Sequence, residues 1–244
     1  MVDRPGEPNL AALFDGPQQM SVGERAALEG FLELAKPALA IEIGRAEGGS
    51  LRRIAAHSAE VHSLDLVAPP AELAELEQVH FHTGDSHELL PSLLAELASA
   101  GRNVDLVLVD GDHSADGVRR DLEDLLASPA VSRTLILIHD TTNEEVRAGV
   151  DRVDLDRAAK VAYADLDAVS GRLFRAESLR NQLWGGLGVV VVDDARTRGP
   201  GEPAGDPRFF DTAALLREAR ARRIGRARHA ARRLRRRLVA LRRR

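Results

Sequence analysis

Two short runs in this chain pass abruptly from apolar to ionisable residues. In "LVLVDGDHSADG", residues 106–117, the apolar positions end in Asp110, and Asp112, His113 and Asp116 follow. In "LILIHDT", residues 135–141, the same change ends in His139 and Asp140. Ionisable groups just past a buried strand face whatever binds at the strand end. Asp110, Asp140 and Asp112 offer hard oxygen donors of the kind Mg²⁺ takes. Histidine titrates near neutral pH and suits proton transfer, which makes His113 and His139 candidate bases. Both strand ends are therefore expected to face one ligand and one metal site. Simpler roles compete: Asp112 and His113 could cap the helix starting near Ser114, and His139–Asp140 could be a structural turn pair.

A third stretch, "IEIGRAEGGSL", reads as a strand-to-helix turn rich in glycine (Gly44, Gly48, Gly49). In doubly wound sheets, ligands bind beyond the carboxyl ends of the strands, where glycines let backbone approach them. The spacing is G-x-x-x-G-G, not the dinucleotide G-x-G-x-x-G. Glu42, expected to point toward the ligand, disfavours a pyrophosphate and suits a cationic ligand. Asp65 ends the next strand, where an acid accepts hydrogen bonds from ribose hydroxyls. Asp85 and Ser86, after the third strand, are placed to meet a purine edge. Ser50 and Leu66 flank these groups and are counted with them.

The elements that must hold these residues alternate. Residues 21–36 open on a Ser21 cap and show apolar residues at helical spacing (Ala26, Ala27, Phe31, Leu34), with Pro37 as the stop. Strands are expected at "ALAIEIG", "VHSLDL", "VHFHTGD", "VDLVLVDG" and "TLILIHDT". Helices fall between them, the last over "NEEVRAGVDRVDLDRA". This β-α alternation implies an α/β fold: a Rossmann-like, doubly wound, mostly parallel sheet. "KVAYADLDAVSGRLFR" and "LWGGLGVVVVD" read as two late strands without a long helix between them, hence an antiparallel edge. Trp184 in the second covers that edge or walls an acceptor pocket. Residues 1–195 form the main domain, with 1–37 a helical cap. Residues 196–208 are a Gly/Pro linker, and 209–244 an Arg-rich amphipathic helical tail.

Taken in order, "IEIGRAEGGSL…VHSLDL…TGDS…DLVLVDGDHSADGVRRDL…LILIHDT" resembles the class I S-adenosylmethionine-dependent methyltransferases. It is most similar to a bacterial branch with "DGDH" and "HD" signatures that includes sugar and natural-product O-methyltransferases. The resemblance spans about residues 38–142, more loosely to 194. It implies that Glu42, Gly44 and neighbouring backbone hold the methionine part of the cofactor. Asp65 would hold its ribose, Asp85 and Ser86 border the adenine, and Asp110 stand beside the sulfonium. In metal-dependent relatives, residues matching Asp110, His139 and Asp140 bind Mg²⁺; the usual second pair is acidic or acid-amide, and His139 departs from that. His113, three residues after Asp110, matches the offset of a basic residue in the catechol branch and is the first candidate base; His139 is the second. The expected reaction is O-methylation of a sugar, glycoside or small natural product, assisted by a divalent metal. Two alternatives are carried: an oxidative, iron-dependent role, since the branch also resembles cephalosporin hydroxylases, and a non-enzymatic cofactor-binding adaptor working through its tail.

Composition bounds these readings. The absence of cysteine excludes disulfides, thiolate metal sites and cysteine nucleophiles. There is no apolar run long enough to span a membrane and no export signal in "MVDRPGEPNL", so a cytoplasmic location is expected. The net charge of −4 conceals an asymmetry: residues 217–244 hold fourteen Arg and one Glu. In the tail, Ile224, Ala227, Ala231, Leu234, Leu238 and Leu241 form one narrow stripe. Such a helix can lie on an anionic membrane surface, here the inner face, or grip the acidic body of a second copy as a homodimer. The acidic body, and the absence of Phe, Tyr or Trp from residues 223–244, argue against nucleic acid. His57, His62, His80, His82 and His87 are read as surface or packing residues.

Overall fold

The computed structural model describes residues 19–174, 182–196, 198–199, 202–205, 214–219 and 221–222. Five parallel strands, β1 (Leu39–Ile43), β2 (Glu60–Asp65), β3 (Val79–Thr83), β4 (Leu106–Val109) and β5 (Arg133–His139), alternate with helices. The helices are α1 (Val22–Ala35), α2 (Gly49–His57), α3 (Ser86–Ser99), α4 (Ala115–Ala127) and α5 (Glu144–Val150). Two later strands, β6 (Val161–Val169) and β9 (Leu187–Asp193), complete a seven-stranded sheet of order β3-β2-β1-β4-β5-β9-β6. β9 runs antiparallel to both β5 and β6, the antiparallel edge expected from the sequence. Between them, β7 (Arg172–Leu173) and β8 (Leu183–Trp184) pair as a separate short ribbon.

Strand residues alternate between faces, and the two faces carry separate apolar cores. Leu39, Ile41 and Ile43 pack with the α3 and α4 leucines, whereas Ala40, Leu106, Leu108 and Leu137 pack with α1 and α2. The alternation also assigns the polar residues: Glu42 shares a face with Ala40, and His139 with Leu137. Both therefore belong to the side covered by α1 and α2.

Two sequence expectations need correction. α1 begins at its Ser21 cap, but it buries Leu28 and Leu32 together with Glu24 and Arg25, while Leu34 is 83% exposed. Positions 24, 28 and 32 lie four apart and define the inner face; of the expected stripe, Ala27 and Phe31 are partly buried and pack beside it, while Ala26 and Leu34 face outward. The helix expected through residue 158 ends at Val150. There the chain breaks into turns that bury Val153 and Leu155, with Asp154 accepting from the Arg157 amide.

Parts of the Gly/Pro stretch pack on the domain. The Arg198 guanidinium donates to the carbonyls of Val161, Leu155 and Asp156, and Ala204 is buried with its carbonyl accepting from the Ala164 amide. Of the tail, residues 214–219 and 221–222 are helical. The apolar stripe from Ile224 onward lies outside the described residues, as do residues 1–18 of the helical cap. Among the described residues no helix is long and apolar enough to cross a membrane.

Candidate active site

The ends of β1, β2, β4 and β5 open into one cavity of about 1010 Å³. Its floor is the sheet's carboxyl edge, its near side the start of α1, and its far side the β7–β8 ribbon with Phe174 and Trp184. Asp65, Asp110, His113, His139 and Asp140 all line it. They come from three segments of sequence, the ends of β2, β4 and β5, and only the parallel topology aligns them.

At the β1 and β2 ends, Asp65 organises the loop. One of its carboxylate oxygens accepts from the backbone N–H groups of Arg45 and Ala46 (2.9 and 3.1 Å), the other from that of Val67 (2.8 Å). Partial burial works against the charge, but these amides hold Asp65 below the ordinary carboxylate range. An ionised acid with lone pairs left over can accept from a ligand's hydroxyls. Gly44, Leu66, Asp85 and Ser86 line the same cavity. Asp85 also caps α3 by accepting from the His87 amide.

Four of the expected cofactor contacts do not line this cavity. Glu42 is completely buried beneath the loop, accepting from the hydroxyls of Ser50 (2.6 Å) and Ser63 (3.3 Å). Its position in the alternation turns it under α2, away from the strand end. Burial pushes its carboxyl up to about 8, above the ordinary carboxylate range. Gly48 stands at φ 81°, a left-handed backbone that favours glycine, and it faces the Leu73 side chain. Gly49 and Ser50 border a small separate pocket behind Asp110. Gly44 does line the main cavity, yet its φ of 83° and the 2.2 Å approach of a Cβ to the Asp110 carbonyl show that β4, too, requires glycine there.

At the β4 and β5 ends, a tight charged cluster forms. The Nδ1 of His139 lies 2.9 Å from Asp110 and 3.6 Å from Asp140. His113 Nε2 lies 3.3 Å from Asp110 and 3.0 Å from Asp140. The His113 ring meets Trp184 edge-on at 5.4 Å. Hydrogen bonds to Asp110 and then Asp140 push His113 up to about 9, outweighing burial. His139 is raised well above its ordinary value: burial opposes this, and the Asp110 carboxylate overrides it. Asp110 in turn is held low despite burial, by His139 and His113.

Asp110, His139 and Asp140 each offer one donor atom, all within 4.8 Å of one another. Two carboxylates and one imidazole nitrogen, largely buried, fit a divalent cation by number and chemistry. Asp140 is also strained: it stands at φ 58°, unusual for a residue other than glycine, and its carboxylate accepts from the Gly185 amide. Such strain persists where surrounding contacts hold a side chain in place.

Among the lining residues that sequence reasoning missed are Glu24 and His87. Glu24 is buried, with one carboxylate oxygen 3.5 Å from His139 Nε2. Burial would raise its carboxyl, but interactions with His139 and Ser21 lower it to about 2. Its signal was the acid four residues ahead of Leu28 on the buried stripe. His87, expected as surface or packing, also faces the cavity, with Nδ1 3.1 Å from Asp85. Nothing in its local sequence separates it from the other histidines.

A family profile described as a methyltransferase domain matches residues 41–141. No curated protein sequence matches the chain. Among solved structures, the O-methyltransferase from Bacillus cereus in complex with SAH is 15% identical, with a TM-score of 0.54 over 75% of this chain and 92% of that one. TomG from Streptomyces achromogenes, an O-methyltransferase of tomaymycin synthesis in complex with SAM, is 18% identical (TM-score 0.51, covering 77% and 91%). The MycE methyltransferase of the mycinamycin pathway, in complex with Mg, SAH and mycinamycin VI, is 17% identical (TM-score 0.51, covering 79% and 55%). These likenesses establish the fold as that of the class I methyltransferases.

Proposed function

We propose that the chain, residues 41–141 of which match a methyltransferase-domain profile, transfers the methyl group of S-adenosylmethionine to a hydroxyl of a sugar, glycoside or small natural product. The observation that carries this reading is the single cavity in which Asp65 stands at one end and the Asp110–His113–His139–Asp140 cluster at the other. One end suits a ribose; the other suits an oxygen that must lose a proton.

In the reaction, the acceptor oxygen attacks the methyl carbon and the carbon–sulfur bond breaks, its electron pair returning to sulfur. The hydroxyl proton leaves to a base, and the products are a methyl ether and S-adenosylhomocysteine. Asp65 accepts from the ribose hydroxyls, and Asp85 and Ser86 border the base. Trp184 and Phe174 offer ring faces against which an acceptor packs, which orients it and excludes water. Asp110, His139 and Asp140 would hold a divalent cation, which when bound lowers the pKa of a hydroxyl presented to it. His113 takes the proton. Its two carboxylate neighbours keep it cationic at neutral pH until other positive charge offsets them, so its basicity depends on the occupancy of that cluster.

The reading is tested by methyl transfer from labelled S-adenosylmethionine to panels of sugars, glycosides and phenols, with Mg²⁺ and with chelator. Turnover of a hydroxyl acceptor that chelator suppresses is expected. No turnover on any panel, together with no calorimetric binding of S-adenosylhomocysteine, overturns it. The hydroxylase alternative is not favoured by the neighbours described above. Peripheral attachment through the tail and homodimer formation remain part of the proposal, tested by vesicle sedimentation and by light scattering.

A further inference from the structure

We propose that Glu24 is a positioning residue that makes His139 a metal ligand, by holding the proton of the imidazole on Nε2. The inference rests on the reading above, that Asp110, His139 and Asp140 hold a divalent cation.

The geometry begins in α1. Glu24, Leu28 and Leu32 occupy its buried face, and that face covers the side of the sheet to which His139 belongs. A carboxylate thus comes down on the outer edge of the imidazole. The inner edge is committed: Nδ1 points at Asp110 and Asp140, at 2.9 and 3.6 Å. The outer nitrogen, Nε2, is buried, and among the described residues the polar group facing it is the Glu24 carboxylate, 3.5 Å away.

A neutral imidazole carries one N–H and one lone pair, and a ligand needs the lone pair toward the metal. With carboxylates facing both edges the imidazole carries a proton on each nitrogen; a cation between the two aspartates would displace the one on Nδ1, and the Glu24 carboxylate keeps the one on Nε2. This is the general arrangement in which a metal-bound histidine gives its other N–H to an acid. Glu24 is well fixed for this role. One of its oxygens accepts from the Ser21 amide at 2.5 Å, the other from the Gly186 amide at 2.5 Å. The adjacent Gly185 amide holds the Asp140 carboxylate. One buried acid therefore braces the histidine and the loop that fixes an aspartate. Helix capping alone accounts for the contact with Ser21. It does not account for a carboxylate facing His139 from a different layer of the fold.

The test is calorimetric titration of the full chain with Mn²⁺ alone, which accepts oxygen and nitrogen ligands. Glu24→Gln is expected to weaken Mn²⁺ binding about 10–100-fold. Ser21→Ala, which removes the cap hydroxyl and leaves the carboxylate, is expected to bind Mn²⁺ like the wild type. In a His139→Ala background, Glu24→Gln should add no further loss, because the residue acts through the imidazole. If Glu24→Gln does not fold by circular dichroism, Glu24→Asp keeps the charge, draws it back by one methylene, and should show the same loss. Unchanged affinity in the folded variant, or a full additional loss without His139, overturns the inference and leaves the cation reading standing. A wild-type chain that binds no divalent cation overturns both.

Discussion

His139 Nδ1 lies 2.9 Å from the Asp110 carboxylate, although 29 positions separate the two residues. The contact exists because β4 and β5 are adjacent parallel strands that end at the same level. Asp110 follows the last residue of β4, and His139 is the last residue of β5. Parallel pairing puts both residues at the carboxyl edge, where the cavity opens.

Replacing His113 by alanine should lower kcat about 10²–10⁴-fold, the range for losing a positioned base. Binding of S-adenosylhomocysteine should stay within about twofold, because the side chain faces the acceptor end of the cavity. Steady-state kinetics and calorimetry on one preparation separate the two effects. Equal losses in binding and turnover would remove His113 from the base role.

Asp65→Ala should do the converse. Losing a hydrogen bond to a charged group costs about 1.5–3 kcal/mol, roughly a 10–100-fold weaker affinity for S-adenosylhomocysteine. Part of the effect is loosening of the Arg45–Ala46 loop, whose amides Asp65 accepts. Hydrogen exchange at those amides should therefore accelerate in the same variant.

Gly44→Ala should destabilise the fold by at least about 1–3 kcal/mol, the cost of a strained left-handed residue. The added methyl also meets the Asp110 carbonyl. Urea denaturation reads the loss directly. A variant as stable as wild type would show that β1 and β4 can separate without penalty.

Glu42 makes stability depend on pH. Its carboxyl titrates near 4.5 in the unfolded chain and at about 8 in the folded one. Below pH 4.5 both states hold the proton and its contribution is constant. Between about 4.5 and 8 only the unfolded state releases it, so folding loses stability as pH rises, by an amount on the order of a few kcal/mol. Glu42→Gln should flatten that slope in urea titrations across the range. Parallel slopes for the two proteins would mean that Glu42 is ionised in the native state.

Much of this was legible in the chain. The alternation of apolar runs with amphipathic segments fixes the order of strands and helices, because burial on both faces requires apolar strands and helices to cover them. Residues just past the ends of such strands are displayed at one edge, so Asp65, Asp110, His113, His139 and Asp140 could be nominated together. What misled was direction. Glu42 belongs to a strand with both faces covered, and a position two before the loop gave no sign that it turns beneath α2. Gly48 read as room for a ligand, whereas its neighbour is Leu73, 25 residues on.

The amino-acid sequence determined which groups the site could contain: carboxylates and imidazoles at strand ends, with no thiol anywhere. It did so because backbone hydrogen bonding and burial confine such residues to the ends of buried strands. Tertiary structure alone decided which of those groups meet. The facing of α1, set by where Leu28 and Leu32 find the sheet, carries Glu24 to His139. The antiparallel return of β9 carries Gly185 and Gly186 to Asp140 and Glu24. Contacts of that kind depend on how layers pack in three dimensions, and local spacing along the chain does not encode them.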